Sequence, residues 1–322
     1  MKNLKIYLRK DIKRMKTLMS TDNASAKPLQ KLKKGDKIGI ISTARKINSE
    51  ELKYAIETLE KWGLKVVLGR NIYASNNQYA GDENQRIEDL QHMLNHPEIK
   101  AILCARGGYG TVRIIDHLDF SIFKSNPKLI AGFSDVTVLH SHLHNLNISS
   151  VHSTMPISFK SNTAASIESL KNALFGENID VKCDGHPLNR QGKASGQIVG
   201  GNLSILYSLI GTPTDIDTEN KILFVEDLDE YLYHIDRMMT SLKRSGKLSS
   251  LKGLVVGGMT KMNDNNIPFG MTAEQIILES VYEYNYPVCF NFPAGHIDNN
   301  LALKLGENIR LDVGETIHLH YE

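Results

Sequence analysis

The sequence predicts an α/β protein with an N-terminal parallel sheet flanked by helices, followed by a C-terminal α/β domain. Short apolar, β-branched runs such as IGIIST after Lys37 are typical of strands buried in a parallel sheet. Amphipathic helical segments alternate with these runs, which predicts helices on both faces of the sheet. A chain of 322 residues is near the size at which single cores divide, so we expect two domains.

In the first half of the chain, strands and helices alternate regularly. The first helix is capped by Asn48 or Ser49 and stops at Gly63. After the strand that follows Lys37, the predicted strands are Leu64–Leu68, Ala101–Cys104 and Lys128–Ala131. The later predicted helices are Glu83–Leu94, a short one near Val112–His117, and one from Asp135 to about His144. Ligands of such sheets bind beyond the carboxyl ends of the strands, so the turns there are the places to search for chemistry.

Around residues 155–195 the apolar periodicity weakens, and prolines and glycines indicate a domain boundary. Beyond it we predict strands Gln197–Val199, Ile222–Val225 and Leu254–Val256, and helices Leu203–Ile210, Glu230–Leu242 and Ala273–Tyr282. The predicted organisation is therefore a basic N-terminal extension (1–34), an N-terminal α/β domain (35–160), a linker region (161–194) and a C-terminal domain (195–322).

The charges are distributed unevenly along the chain. Residues 1–34 hold 11 basic and 2 acidic residues, whereas the remainder holds 27 basic and 34 acidic residues. A mildly acidic body offers no face that would neutralise phosphates, so we expect no nucleic-acid partner. The basic start lacks the continuous apolar segment of a secretory signal. We interpret it as a solvated extension or as the result of a translation start assigned too far upstream. The alternative is an arm that binds a membrane surface or nucleic acid.

Cysteine usage and hydropathy restrict the class of protein further. No apolar stretch reaches the length that a transmembrane helix needs, so no membrane partner is expected. Cys104, Cys183 and Cys289 are far apart and never form a CxxC pattern, which argues against a disulfide framework or a zinc knuckle. These features favour a reducing cytoplasm and predict neither a metal nor another cofactor.

A serine lies at one strand-to-helix turn, in the sequence GFSD at 132–135. A tight turn there would hold the Ser134 hydroxyl clear of the sheet, as in a nucleophile elbow, although the second glycine of G-x-S-x-G is absent. The amide of Asp135 at the helix start could then donate to a developing oxyanion. An ordinary N-cap of the next helix is an equally open interpretation of Ser-Asp.

A glycine-rich turn, CARGGYGT at 104–111, follows another predicted strand. Its three glycines indicate positive φ angles or a close approach to the backbone. The spacing matches neither of the common phosphate-binding patterns. Amides that polarise a substrate carbonyl are the favoured functional interpretation, and a tight turn without function is the alternative.

A nucleophilic serine requires a base, and two further turns offer candidates. His296 lies in the loop FPAGHIDNN at 292–300, where a side chain can be presented to a substrate. Glu226 and Asp227 follow an apolar strand, and a carboxylate at a strand end can hold and polarise an imidazole. A capping box of the next helix that includes Glu230 would explain part of this acidic cluster.

Other polar residues have simpler interpretations. His140 and His144 share a helical face, but no further ligand joins them at metal-binding spacing, so we expect a helix-surface pair. Arg106 could hold a substrate carboxylate, and a structural salt bridge is at least as good an interpretation.

Together these motifs resemble the serine LD-carboxypeptidases, the peptidase family that includes murein tetrapeptide carboxypeptidases and microcin C7 immunity peptidases. The resemblance covers roughly residues 35–315. It rests on five motifs in the family's order, which are RGGYG at 106–110, GFSD at 132–135, GGNLS at 200–204, VEDLDE at 225–230 and GHIDNNLALKLG at 295–306.

The resemblance implies that Ser134 is the nucleophile, His296 the general base and Glu226 the residue that orients His296. It also implies an oxyanion hole formed by the backbone amides of Gly108 and Asp135. The implied fold is an N-terminal domain similar to class I glutamine amidotransferases and a C-terminal domain with a small β-rich core, in a homodimer.

The implied reaction is acyl transfer without a metal, in which a murein tetrapeptide, a small peptide substrate, loses its terminal D-alanine during cell-wall recycling in the cytoplasm. Within the family, the alternative is an immunity-type peptidase that cleaves aminoacyl-nucleotide amides. Such a pocket would need an aromatic loop for stacking, and Trp62 lies elsewhere, at a helix end. A non-catalytic peptide-binding protein is the alternative from another class.

Overall fold

The computed structural model describes residues 30–322, so most of the predicted basic extension (1–34) lies outside the described residues. The described chain is a mixed α/β structure with two sheets and flanking helices. Its strands are β1 (Lys37–Ile41), β2 (Lys65–Leu68), β3 (Ile99–Cys104), β4 (Leu129–Gly132), β5 (Ser150–His152), β6 (Asp180–Asp184), β7 (Gly192–Asn202), β8 (Ile222–Leu228), β9 (Gly253–Thr260), β10 (Val288–Cys289), β11 (Leu303–Leu305), β12 (Asn308–Val313) and β13 (Thr316–Tyr321).

The helices are α1 (Ser49–Lys61), α2 (Glu83–Asn95), α3 (Ser121–Ser125), α4 (Thr137–Asn145), α5 (Ala164–Phe175), α6 (Leu203–Ser208), α7 (Leu232–Arg244) and α8 (Ala273–Ser280). Six of these eight helices lie close to predicted positions, and α3 and α5 are the other two. Asn48 caps α1 with a reciprocal capping box that includes Glu51, as its sequence position predicts. None of the helices within residues 30–322 combines the length and hydropathy that a bilayer crossing requires.

The first sheet has the order β11-β5-β4-β3-β1-β2. Strands β1 to β5 pair in parallel, and β11, which comes from near the C-terminus, pairs antiparallel with β5. The central strands β1, β3 and β4 are almost entirely buried, as expected for strands covered by helices on both faces. The turn after β4 and the glycine-rich turn after β3 therefore meet at one edge of this sheet.

The second sheet has the order β10-β9-β8-β7-β12-β13-β6. Strands β7 to β10 pair in parallel, whereas β12 and β13 extend the sheet antiparallel from the long β7. The predicted strand Gln197–Val199 is only the centre of β7, because the polar first half of this strand is defined by its pairing with β12 and not by an apolar pattern. Glu226 and Asp227 lie inside β8, beyond the predicted end of that strand.

Several short elements differ from the sequence-based expectations. The helix expected near Val112–His117 is a pair of 3-10 turns, and β5 and α3 were not predicted. Strand β5 has only three residues, which is too short to show a periodicity.

The predicted linker region, 161–194, contains α5 and β6, and β6 pairs with β13 of the second sheet. Strand β11, from the predicted C-terminal domain, lies in the first sheet, so the chain returns to that sheet after forming most of the second. The domain division therefore stays a prediction.

Candidate active site

Ser134 occupies a strained turn directly after β4. Its φ angle is +65°, a left-handed conformation that residues with a side chain seldom adopt. A 3-10 turn begins at Ser134, and its N-cap is Phe133, without any side-chain cap hydrogen bond. The N-cap interpretation of Ser134 is therefore wrong, and the strain favours a functional role for this turn.

The glycine-rich turn after β3 lies against the serine. A Cβ atom added to Gly107 would lie 3.0 Å from Ser134 Oγ, so any larger residue at position 107 would crowd the hydroxyl. The next residue, Gly108, has φ +114° and packs beneath the Arg45 side chain. Gly108 is exposed, whereas Gly107 is buried against Ser134.

The two candidate oxyanion amides belong to the glycine-rich turn and the serine turn. No acceptor among residues 30–322 binds the Gly108 N–H, and the Asp135 N–H belongs to the first turn of a 3-10 segment, where intrahelical acceptors are missing. The Asp135 carboxylate accepts a hydrogen bond of 2.8 Å from the Thr111 amide. Asp135 thus fastens the end of the glycine turn to the serine turn.

His296 is held by a buried carboxylate of the other sheet. Glu226 is fully buried, and its Oε2 lies 2.6 Å from His296 Nδ1 and 3.1 Å from the backbone amide of His296, which donates to it. The other carboxylate oxygen, Oε1, has no hydrogen-bond partner among the described residues. This arrangement fixes the Nδ1–H tautomer and leaves Nε2 to accept a proton.

The loop that carries His296 is shaped around Glu226. Gly295 has φ +108°, and a Cβ atom there would lie 2.7 Å from Glu226 Cβ. The buried Asn300 accepts a hydrogen bond of 2.8 Å from the Gly295 amide, and Thr260 donates one of 3.1 Å to the His296 carbonyl. Asn300 lies in the GHIDNN motif, but only the fold shows that it fixes the backbone of this loop.

Two shifted pKa values follow from this environment. Burial lowers the pKa of His296, but the charge of Glu226 and the hydrogen bond to it outweigh burial, so the pKa is raised above its ordinary value. Asp227 follows Glu226 and is also buried. Burial and the neighbouring Glu226 charge raise the pKa of Asp227 to about 7, although it accepts hydrogen bonds from Asn202 and Ser204.

The GGNLS motif joins the two sheets at this point. The Asn202 amide donates a hydrogen bond of 2.9 Å to Thr137 Oγ1, three residues after Ser134, and the Asn202 side chain donates one of 2.9 Å to Asp227. A Cβ atom at Gly201 would lie 2.4 Å from Thr137 Oγ1. The motif therefore links the helix after the serine to the strand that carries Glu226.

His296 packs against Phe133, the residue that precedes Ser134. The rings of Phe133 and His296 are 4.7 Å apart between centroids, which places the imidazole next to the residue that precedes the serine. Within the described part of the chain, the Ser134 hydroxyl forms no hydrogen bond with His296. Catalytic hydrogen bonds are often long in free enzymes and shorten when substrate binds.

Two other predictions have different outcomes. Glu230 forms no capping box, since α7 begins after Tyr231 without a side-chain cap, and it lies 2.5 Å from His234 instead. Arg106 donates a hydrogen bond of 3.1 Å to the Lys46 carbonyl and lies 3.8 Å from Glu51. These contacts agree with the structural salt bridge.

The expected helix-surface pair is wrong for His140. This ring is buried. Ser150 Oγ of β5 and the Gly132 carbonyl at the end of β4 bind its two nitrogens at 2.8 and 2.9 Å.

Comparison with known proteins identifies the family. The family models described as LD-carboxypeptidase N-terminal domain and LD-carboxypeptidase C-terminal domain match residues 38–153 and 195–311. A probable murein peptide carboxypeptidase of Bacillus subtilis is 34% identical over 290 residues, which cover 88% of this chain and 91% of the relative.

Solved structures show the same architecture. The crystal structure of muramoyltetrapeptide carboxypeptidase from Oxalobacter formigenes superposes with a TM-score of 0.81 at 26% identity, covering 88% of this chain and 98% of that one. The microcin C7 self-immunity protein MccF, in complex with aspartyl sulfamoyl adenosine, superposes with a TM-score of 0.82 at 20% identity over 91% and 98% of the two chains, which is a likeness of fold. The chain therefore belongs to the LD-carboxypeptidase family and is a serine-type carboxypeptidase.

Proposed function

We propose that this enzyme releases the terminal D-alanine of murein tetrapeptides by hydrolysing the amide between the L-centre of the diamino acid and D-alanine. The observation that carries the proposal is a serine at positive φ beside the Gly107–Gly108 turn, with an imidazole held by a buried carboxylate next to it. The printed names of the relatives, a murein peptide carboxypeptidase and a muramoyltetrapeptide carboxypeptidase, support the substrate class.

In the proposed mechanism, Ser134 Oγ attacks the amide carbonyl while His296 Nε2 takes the hydroxyl proton. The tetrahedral oxyanion accepts hydrogen bonds from the Gly108 and Asp135 amides. His296 then gives its proton to the leaving nitrogen, D-alanine departs and an acyl-enzyme ester remains. A water molecule, deprotonated by His296, hydrolyses this ester and regenerates the Ser134 hydroxyl.

Glu226 is the orienting residue in this mechanism. Its carboxylate stabilises the imidazolium that forms at each proton transfer, and burial strengthens this interaction because little water screens it. The same charge raises the pKa of His296 and so makes it a stronger base.

Further features belong to the same proposal. The likeness of the N-terminal part to class I glutamine amidotransferases and the homodimer are implied by the family resemblance. The division into domains at 161–194 rests on the weakened apolar periodicity there, and the cytoplasmic location rests on the cysteine usage together with the resemblance. The likeness to glutamine amidotransferases is supported by the five parallel strands of the first sheet, in which β4 leads into the Ser134 turn.

The test measures D-alanine release by mass spectrometry from L-Ala-D-Glu-meso-diaminopimelate-D-Ala and from the same peptide ending in L-alanine. We expect release from the D-terminal peptide only, and none with the Ser134→Ala variant. Release from both peptides, or release that survives the substitution, would contradict the proposed specificity or the proposed nucleophile.

A second candidate substrate is an aminoacyl-nucleotide amide, as for an immunity-type peptidase. Tyr109 favours it, since this residue follows Gly108 and 45% of its surface is exposed, which would allow a base to stack. Trp62 does not contribute, because it packs against Phe159. Cleavage of aspartyl sulfamoyl adenosine in preference to the tetrapeptide would select this function.

A further inference from the structure

Two histidines and an aspartate meet at the far end of the second sheet. His318 and His320 lie two residues apart on β13, so their side chains share one face of the strand. Asp180 on the edge strand β6 pairs with His320 in the antiparallel register, and its carboxylate is in hydrogen-bond contact with the His318 ring. One ligand atom from each of the three residues lies within 4.8 Å of the others.

We propose that Asp180, His318 and His320 bind a divalent first-row transition-metal ion such as Zn²⁺. Two imidazoles and one carboxylate form a donor set that suits this class of ion, whereas Mg²⁺ and Ca²⁺ prefer oxygen donors alone. Ligand atoms around a tetrahedral zinc are about 3.4 Å apart, so small side-chain rotations close the site. The remaining coordination position is filled by water.

An unsatisfied ring nitrogen gives independent support. The Nδ1 atom of His320 is enclosed by protein and has no hydrogen-bond partner among residues 30–322. A buried polar atom without a partner costs free energy, and coordination to a cation removes that cost.

The surrounding charges are compatible with a cation. Arg310 lies opposite His320 in the register with β12, but its guanidinium is 3.0 Å from the Glu322 carboxylate, which offsets its charge. Asp312 lies opposite His318 and forms an ion pair with Lys193, so these two charges offset each other. Lys182, on the other side of His318, is exposed and free to extend into solvent.

The proposed metal site is separate from the catalytic one. Strand β13 is three strands away from β8, which carries Glu226, or about 14 Å across the sheet. A bound ion would instead connect β6, an edge strand, to the C-terminal strand β13. Such a link stabilises the folded state because the ion binds the native chain and not the separated strands.

The test titrates the purified full chain, stripped of metal by a chelator, with Zn²⁺ in a calorimeter. We expect one Zn²⁺ per chain, no competition from excess Mg²⁺ or Ca²⁺, and a higher Tm with Zn²⁺ than without it. His318→Ala and His320→Ala should each weaken binding at least about tenfold, since one of three protein ligands is lost.

Two controls make the outcome decisive. His117→Ala removes an exposed histidine elsewhere, and His296→Ala removes the catalytic imidazole. Both should bind Zn²⁺ like the original chain. Absence of Zn²⁺ binding by the original chain, unchanged binding in His318→Ala and His320→Ala, or loss of binding in His296→Ala would overturn the proposal.

Discussion

The serine turn and the histidine loop lie at the ends of strands in different sheets, and different forces hold them. Ser134 is positioned by backbone geometry, with a positive φ angle and a glycine against its hydroxyl. His296 is positioned by a side chain, the buried Glu226, which binds both its ring and its amide. The serine turn therefore holds backbone strain, whereas the histidine loop depends on a buried charge. Substitutions in the two regions should change activity and stability differently.

The largest effect should come from Ser134. The Ser134→Ala variant should lose activity by about 10⁴-fold or more, because the nucleophile is absent, with a free energy of unfolding changed by less than about 0.5 kcal/mol. Ser134→Gly should be equally inactive but more stable than Ser134→Ala by roughly 1 kcal/mol, since glycine relieves the positive φ. Kinetics together with urea unfolding test this. Equal stability of the two variants would mean that the turn stores no strain.

Glu226→Gln tests the electrostatic side. Activity should fall by about 10²- to 10⁴-fold, because the imidazolium loses its counter-charge. His296 must be neutral to act as a base, so activity of the unsubstituted enzyme rises as pH increases through its raised pKa. In the variant this rise should move to lower pH, since burial then acts without the opposing charge. A pH profile of kcat/KM that kept its position would show that Glu226 does not set this pKa.

Gly295→Ala tests whether Glu226 needs the close approach of the loop. The new Cβ would lie 2.7 Å from Glu226 Cβ, so the loop must shift, and we expect a loss of roughly 3 kcal/mol in stability together with much of the activity.

Gly270→Ala is the matched control for this substitution, because Gly270 also has a positive φ but no atom within 4 Å of an added Cβ. It should cost only about 1–2 kcal/mol and leave activity intact. Equal losses in the two variants would remove the clash as the cause.

A further effect, which leaves activity at neutral pH aside, concerns stability in acid. Burial lowers the pKa of His140 to about 4, although its hydrogen bond to the Gly132 carbonyl opposes this. The stability that this neutral ring contributes is complete above its unfolded pKa near 6.5 and is lost as pH falls to about 4, by up to roughly 3 kcal/mol.

A His140→Gln variant should be less stable at pH 7 and decline less steeply below pH 6.5, as measured by urea unfolding at several pH values. His117→Gln, at an exposed position, should leave the slope unchanged. A variant with the full original slope would assign the acid sensitivity to other groups.

The sequence alone determined the order of the main elements and the family. Apolar β-branched runs, caps such as Asn48 and the five motifs are local signals, and local signals are readable because strand burial and helix capping depend on neighbouring residues. The same locality explains the misses. The three-residue β5 and the polar half of β7 depend on strand partners that are distant in sequence.

Only the tertiary structure decided how the candidate site is assembled. The burial of Glu226 against His296 and the Thr137–Asn202–Asp227 connection between the sheets join segments far apart in the chain. The positive φ of Ser134 and the Asn300 contact within the histidine loop are local, but they are visible only in the folded chain. A motif states which chemical groups are present. Their distances, strain and pKa values arise from packing in three dimensions, because burial and electrostatic interactions depend on separation in space and not on position in the sequence.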